Sequence, residues 1–254
     1  MDSAATIAVP ARVGLSFTGR VWTMLFARIG LAIAFQAVAT LVALALGSAD
    51  PLRVAADWWL GWFALANVAT LALLRLSLHR EGARLRDLYR TSLGEVKRDA
   101  GWLVAALLVS GPLGYLPNVL LGQALWGSAQ VGADLSFRPL PIAGAVAILA
   151  LFPLVQGAAE LPTYFGYVMP RLERLYGWRL RALLVAAVVL SLQHVFLPFL
   201  LDARFIVWRA LMFLPFACWI GFILFKRPRL LPIMAVMHGL IDASLPVVVL
   251  AASL

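Results

Sequence analysis

Glu160, His194, His238 and Asp242 are ionisable side chains set inside long apolar runs. Carboxylates and imidazoles are the groups that move protons near neutral pH, and hydrocarbon rejects them unless they pair or line a wet cavity. Such a cluster at membrane depth reads as an active site within the bilayer. His238 and Asp242 are four residues apart, so they stack on one helical face and the carboxylate can fix the imidazole's tautomer. A structural tie between helices would use the same pair. Glu160 needs a partner, and His194 is the nearest by depth. Glu160, His194 and His238 could also supply three ligands to zinc with a fourth position open, which would make the chemistry metal-dependent.

The elements that must position these residues follow from composition. Of 254 residues 63% are hydrophobic and 13% charged, with apolar stretches of membrane-crossing length recurring along the chain. That excludes an ordinary soluble domain and predicts an all-α polytopic membrane protein, one transmembrane helical domain over residues 1–254. Hydropathy places seven spans at about 22–47, 57–78, 101–126, 140–169, 181–200, 205–225 and 230–253. Gly111-Pro112-Leu113-Gly114 and Pro117-Asn118 predict a kink or a re-entrant break in the third, which would give eight segments. The first span is expected to be retained, since the chain opens Met1-Asp2-Ser3 without the short apolar core of a cleaved leader.

Basic residues set the orientation. One set of connections carries Arg12 and Arg20, Arg75 to Arg98, Arg171 to Arg181, and Lys226 to Arg229; the other carries Arg53, Arg138 and Arg204. The positive-inside rule puts the N-terminus in the cytoplasm. The net charge of +9 is thereby explained without nucleic acid. Between the second and third spans, Leu85, Leu88, Tyr89, Leu93 and Val96 recur at helical spacing among arginines. They predict an amphipathic helix on anionic lipid, with a solvated loop as the alternative. Arg28 and Arg209 lie near span ends and are expected to snorkel, His79 to be solvated, and Cys218 to pack in the core.

Depth gathers the four polar residues. Counted at ~1.5 Å per residue from the nearest inner basic residue, Glu160 is roughly 16 Å deep, His194 and Asp242 roughly 20 Å and His238 roughly 14 Å. A shared level on three helices predicts one cavity, open to the cytoplasmic half.

Ala159-Glu160-Leu161-Pro162-Thr163-Tyr164-Phe165-Gly166-Tyr167-Val168-Met169-Pro170-Arg171-Leu172 resembles the first motif of the CPBP family, the CAAX-protease and bacteriocin-processing intramembrane proteases. Ser191-Leu192-Gln193-His194 resembles its second motif, and His238-Gly239-Leu240-Ile241-Asp242 its third. The resemblance covers roughly residues 140–250, and three motifs in order are more specific than any one. Leu161 stands where the family has a second glutamate, and Phe165 where it has arginine.

The resemblance implies metal-free hydrolysis of a peptide bond in a membrane-embedded or lipid-anchored substrate. Glu160 with His194 would activate water and His238 with Asp242 would stabilise the oxyanion, Asp242 by orienting His238 or, if protonated, by donating as well. The Ala, Leu, Val and Arg bias points to a bacterial inner membrane. Two other functions fit the chain: an inactive relative serving as a membrane scaffold or immunity factor, given Leu161 and Phe165, and a proton-coupled transporter.

Overall fold

The computed structural model describes residues 15–254, so Arg12 and the opening Met1-Asp2-Ser3 lie outside the described residues. Among the described residues seven helices are long and apolar enough to cross a membrane: α1 (Ser16–Ala45), α2 (Trp59–His79), α3 (Ala100–Trp126), α4 (Ile142–Tyr176), α5 (Arg179–Phe196), α6 (Ala203–Lys226) and α7 (Pro228–Ser253). The described residues hold no strand. The chain is an integral membrane protein, an all-α polytopic bundle.

The connections alternate between two ends. At the arginine-rich end Arg171 pairs with Glu81, and Arg227 and Arg229 pair with Asp99. At the other end Arg53 donates to the Leu135 carbonyl and Trp59 Nε1 to that of Ser136. α4 is central and packs on α1, α2 and α7; α5 packs on α6 and α1, and α3, the least buried of the seven, chiefly on α6.

Three of the interruptions inside the long helices lie next to a proline. It donates no N–H to the carbonyl four residues back, so the ladder loses a rung there. Pro215 follows the turn at Met212 and Phe213 that divides α6, and Pro246 follows the turn at Ala243 that divides α7. Pro162 opens a π-helical stretch, Pro162–Val168, directly after Glu160. The expected break in α3 is absent: the helix runs unbroken through Pro112 and Pro117, so there are not eight segments. Gly111, Gly114 and Asn118 of α3 face an internal cavity.

The predicted amphipathic helix is also corrected. Residues 85–98 form two short helices, Leu85–Tyr89 and Leu93–Arg98. Leu88 is buried against the bundle core, with Leu85 and Tyr89 packed beside it. The apolar face of the first half is therefore covered by protein; only Leu93, 80% exposed, fits a lipid contact.

Of three apolar clusters among the described residues, the two larger ones flank a polar layer, and the third gathers Leu200, Phe205, Trp208 and Met212. Toward the arginine-rich end the core includes Leu25 of α1, Leu74 of α2, Leu161 of α4, Leu190 of α5 and Met234 of α7. Toward the other end the core includes Ala32, Ala66, Phe152 and Val249 of α1, α2, α4 and α7, and Leu197 just past α5. Between them every one of these helices turns polar at the same level: Arg28, Asn67, Gln156 and Glu160, Gln193 and His194, His238 and Asp242.

α4 and α7 meet backbone to backbone in this layer. A Cβ on Gly157 would lie 2.6 Å from the Ala235 carbonyl oxygen, and one on Gly239 2.7 Å from that of Pro153. Only glycine allows so close a crossing. It brings Glu160, one turn after Gly157, against His238, which precedes Gly239.

Candidate active site

Glu160 is buried and accepts from four side chains on four helices. Its Oε1 takes Nε2–H of His238 at 2.8 Å. Its Oε2 takes Arg28 at 3.0 Å and Gln156 at 2.9 Å, and is also bonded by the Gln193 amide. A charge so deep needs this many donors to offset its lost hydration.

The donors are themselves fixed. Arg28 Nε donates to Gln193 Oε1 at 2.8 Å, its Nη1 to Asn67 Oδ1 at 2.6 Å, and its Nη2 also to Gln156 Oε1 at 3.0 Å. Its guanidinium carbon lies 5.0 Å from the centre of the Phe63 ring. Asn67 Nδ2 donates to Gln156 Oε1 at 2.9 Å, and the Tyr164 hydroxyl to Gln193 Oε1 at 3.1 Å. Fully satisfied buried networks of this kind hold one geometry.

His238 lies between two carboxylates. Nε2 is 2.8 Å from Glu160 Oε1 and 3.3 Å from Asp242 Oδ2, the latter one helical turn along. Both neighbours are acceptors, so Nε2 carries hydrogen. Nδ1 is buried and has no protein hydrogen-bond partner.

His194 is not the partner of Glu160. Its Nδ1–H donates to the Leu190 carbonyl at 3.0 Å, and its ring lies 4.4 Å from that of Phe213. The neighbouring Gln193 bonds Glu160 instead. Depth fixes the level of a residue but not its bearing, and consecutive helical residues point about 100° apart. With hydrogen on Nδ1, Nε2 of His194 keeps its lone pair. Among the described residues no three His, Cys, Asp or Glu side chains are grouped to hold a metal ion. The three-ligand set of Glu160, His194 and His238 read from the sequence is thus not gathered at one point.

Glu160, His194, His238 and Asp242 all line one cavity of about 450 Å³. Its other walls are mostly apolar and aromatic, among them Phe63, Phe152, Trp208, Phe213 and Phe216. It extends from Glu160 to Trp59, Ala133 and Phe137 at the arginine-poor end. The expected opening is toward the cytoplasmic half; the lining reaches the arginine-poor end. On the arginine-rich side the packed residues Leu161, Tyr164, Tyr167 and Val168 seal the layer.

Two arginines depart from expectation. Arg28 does not snorkel: α1 begins at Ser16, six residues before the expected start, which sets Arg28 about 18 Å into the helix. It is fully buried. Arg209 turns inward, its Nε donating to the His194 carbonyl at 2.9 Å and an Nη to that of Leu197, where α5 ends. The helix terminus offers carbonyls without intrahelical partners, a better site for the cation than the lipid interface. His79 is exposed as expected.

Arg28, Asn67, Gln156, Gln193 and Tyr164 are the site residues that sequence reasoning missed. Three of them are amides within apolar runs, so the search for misplaced acids and imidazoles would have found them had it included Asn and Gln. Leu161 and Phe165, where the resemblance would place an acid and an arginine, are packed in the apolar core. The guanidinium beside Glu160 arrives from α1 instead. No family model, curated protein or solved structure matches this chain.

Proposed function

We propose that the protein is an intramembrane peptidase, hydrolysing a peptide bond of a membrane-embedded or lipid-anchored substrate within the cavity between α3 and α7. One observation carries this: four ionisable side chains from α4, α5 and α7 line a single apolar-walled cavity. The three motifs that resemble CPBP proteases support it. The arginine-rich, alanine- and leucine-biased composition favours a bacterial inner membrane.

The hydrogen bonds redistribute the roles read from the sequence. The Glu160 oxygens are occupied by Arg28, Gln156, Gln193 and His238, which leaves them poor proton acceptors. His194, whose Nε2 lone pair is free, is the general base: it takes a proton from water as the oxygen attacks the scissile carbonyl. His238, held cationic between Glu160 and Asp242, donates Nδ1–H to the oxyanion. As the C–N bond breaks, His194 returns the proton to the leaving nitrogen. Asp242, an acceptor, orients His238.

The test is cleavage of a membrane-peptide library by the purified chain in detergent, beside His194→Ala and with or without a strong chelator. The expected result is cleavage indifferent to chelation and reduced about 10²- to 10⁴-fold by the substitution. Loss on chelation, reversed by zinc, would replace this mechanism with a metal-dependent one. No cleavage across a broad library would leave the scaffold reading, which is favoured by the way Glu160 ties four helices together. A scaffold retains partner binding in His194→Ala.

A further inference from the structure

Arg28, Arg171 and Arg209 are buried within the bundle. The first two have glutamate partners, Glu160 and Glu81. Arg209, 3% exposed, meets no carboxylate among the described residues. Of the five N–H groups of a guanidinium, Arg209 gives one to the His194 carbonyl and one to that of Leu197; its Nη1 reaches only the Met212 thioether, at 3.9 Å. Three N–H groups therefore lack an oxygen. The rings of Trp59, Phe205, Trp208 and Phe213 stand 5.7–6.0 Å from its Cζ, which offsets part of the cost of a buried cation but not the loss of a counter-ion.

Arg209 also lines the cavity. We infer that it is the anion-binding subsite of that cavity, taking the carboxylate head of an apolar ligand. A guanidinium matches a carboxylate in charge and in two-pronged geometry. No other arginine or lysine among the described residues lines the cavity, so a doubly charged phosphate would be left half neutralised. The volume of about 450 Å³ suits a small ligand. Arg209 lies six residues past the start of α6, about 9 Å below the arginine-poor end, so the head rests near that surface and the apolar body extends toward Phe152 and Phe216. This is a statement about binding and holds whether or not the cavity hydrolyses what it holds.

The test is isothermal titration of the full chain in nonionic detergent with dodecanoate against dodecanol, and with tetraleucine bearing a free against an amidated C-terminus. The carboxylate form of at least one pair is expected to bind about tenfold more tightly. A preference within the first pair identifies a fatty acid head, and within the second a peptide terminus. Arg209→Gln keeps a donor for the carbonyls without the charge, and Met212→Glu places a carboxylate beside Nη1 with Arg209 intact. Each should abolish the preference, so that the carboxylate form binds no more tightly than its neutral counterpart; the second serves if the first fails to fold. Equal binding of charged and neutral forms by the wild type, or a preference that survives in a folded variant, overturns the inference. A carboxylate preference in a chain that cleaves nothing in the membrane-peptide library would sink the peptidase reading and leave this one standing.

Discussion

Two buried arginine–glutamate pairs occupy different levels of the bundle, and only one of them opens on a cavity. At the arginine-rich end Arg171 grips Glu81 through Nη2 at 2.5 Å and Nε at 2.9 Å. The Tyr167 hydroxyl donates to the same carboxylate at 2.8 Å, and Arg171 returns a bond to the Tyr167 carbonyl at 3.0 Å. Every group there is satisfied by another that does not leave. In the middle layer the Arg28–Glu160 pair is as well buried, but its network runs on to His238, whose Nδ1 has no protein partner, and to the cavity. A buried ion pair by itself is a fastening. It becomes a candidate site when a titratable group in its network keeps an atom for something else.

The largest effects should come from breaking either pair on one side. Arg28→Met and Arg171→Met each strand a buried carboxylate, and each should cost about 3–5 kcal/mol of stability, read as a fall in thermal unfolding temperature. Replacing the partner as well separates the two regions. Arg171→Met with Glu81→Leu should recover much of the stability and keep cleavage. Arg28→Met with Glu160→Leu should recover less, because Gln156, Gln193 and His238 lose their acceptor, and should stay inactive. Recovery of cleavage in that second double variant would erase the distinction.

Next in size is the crossing that brings Glu160 to His238. Gly157→Ala drives a Cβ to 2.6 Å from a backbone oxygen, and overpacking of that kind costs about 1–3 kcal/mol. The two helices can relieve it only by parting at the layer where the 2.8 Å bond is made. Cleavage should therefore fall more than stability does. The same substitution at Gly30 of α1, which is exposed, has open space around it and lies outside the cavity, should change neither beyond the small helix-propensity gain. Equal loss of cleavage at both positions would mean that the close crossing does not position the pair.

Much of this was legible in the sequence, for reasons that differ between fold and site. Span number followed from hydropathy because a bilayer leaves the backbone little choice but helix. The four polar residues were legible as violations of that apolar background. Bearing was not: nothing in Gln193-His194 says which of two adjacent side chains faces α4. Nor was the role of Arg28, since six residues' error at the start of α1 turned a mid-membrane cation into an interfacial one. The direction of the cavity was hidden as well, because it depends on how α3 stands away from α7. Proline positions carried more than was taken from them: Pro162, Pro215 and Pro246 accompany the actual interruptions, while the Gly-Pro cluster of α3 accompanies none.

The smallest effect lies at the joint between the two regions. Pro162 offers no N–H to the Ala158 carbonyl, and the Tyr89 hydroxyl fills that place at 2.5 Å. Tyr89 belongs to the connection at the arginine-rich end, and Ala158 to the turn that carries Glu160. Tyr89→Phe should cost about 1 kcal/mol at neutral pH, the net worth of one hydrogen bond. Burial pushes the Tyr89 phenol up from 10.0 to about 12. The folded chain thus holds that proton more tightly than the unfolded one. Below pH 10 both keep it and the contribution is complete; between 10 and about 12 the unfolded chain alone releases it, and stability falls. Unfolding followed across that range should show this alkaline decline in the wild type and a shallower one in Tyr89→Phe. If cleavage at neutral pH is unchanged in the variant, the arginine-rich end fastens the bundle and leaves the site alone. If cleavage drops with the lost bond, the fastening reaches Glu160 through the freed carbonyl, and the two regions act as one.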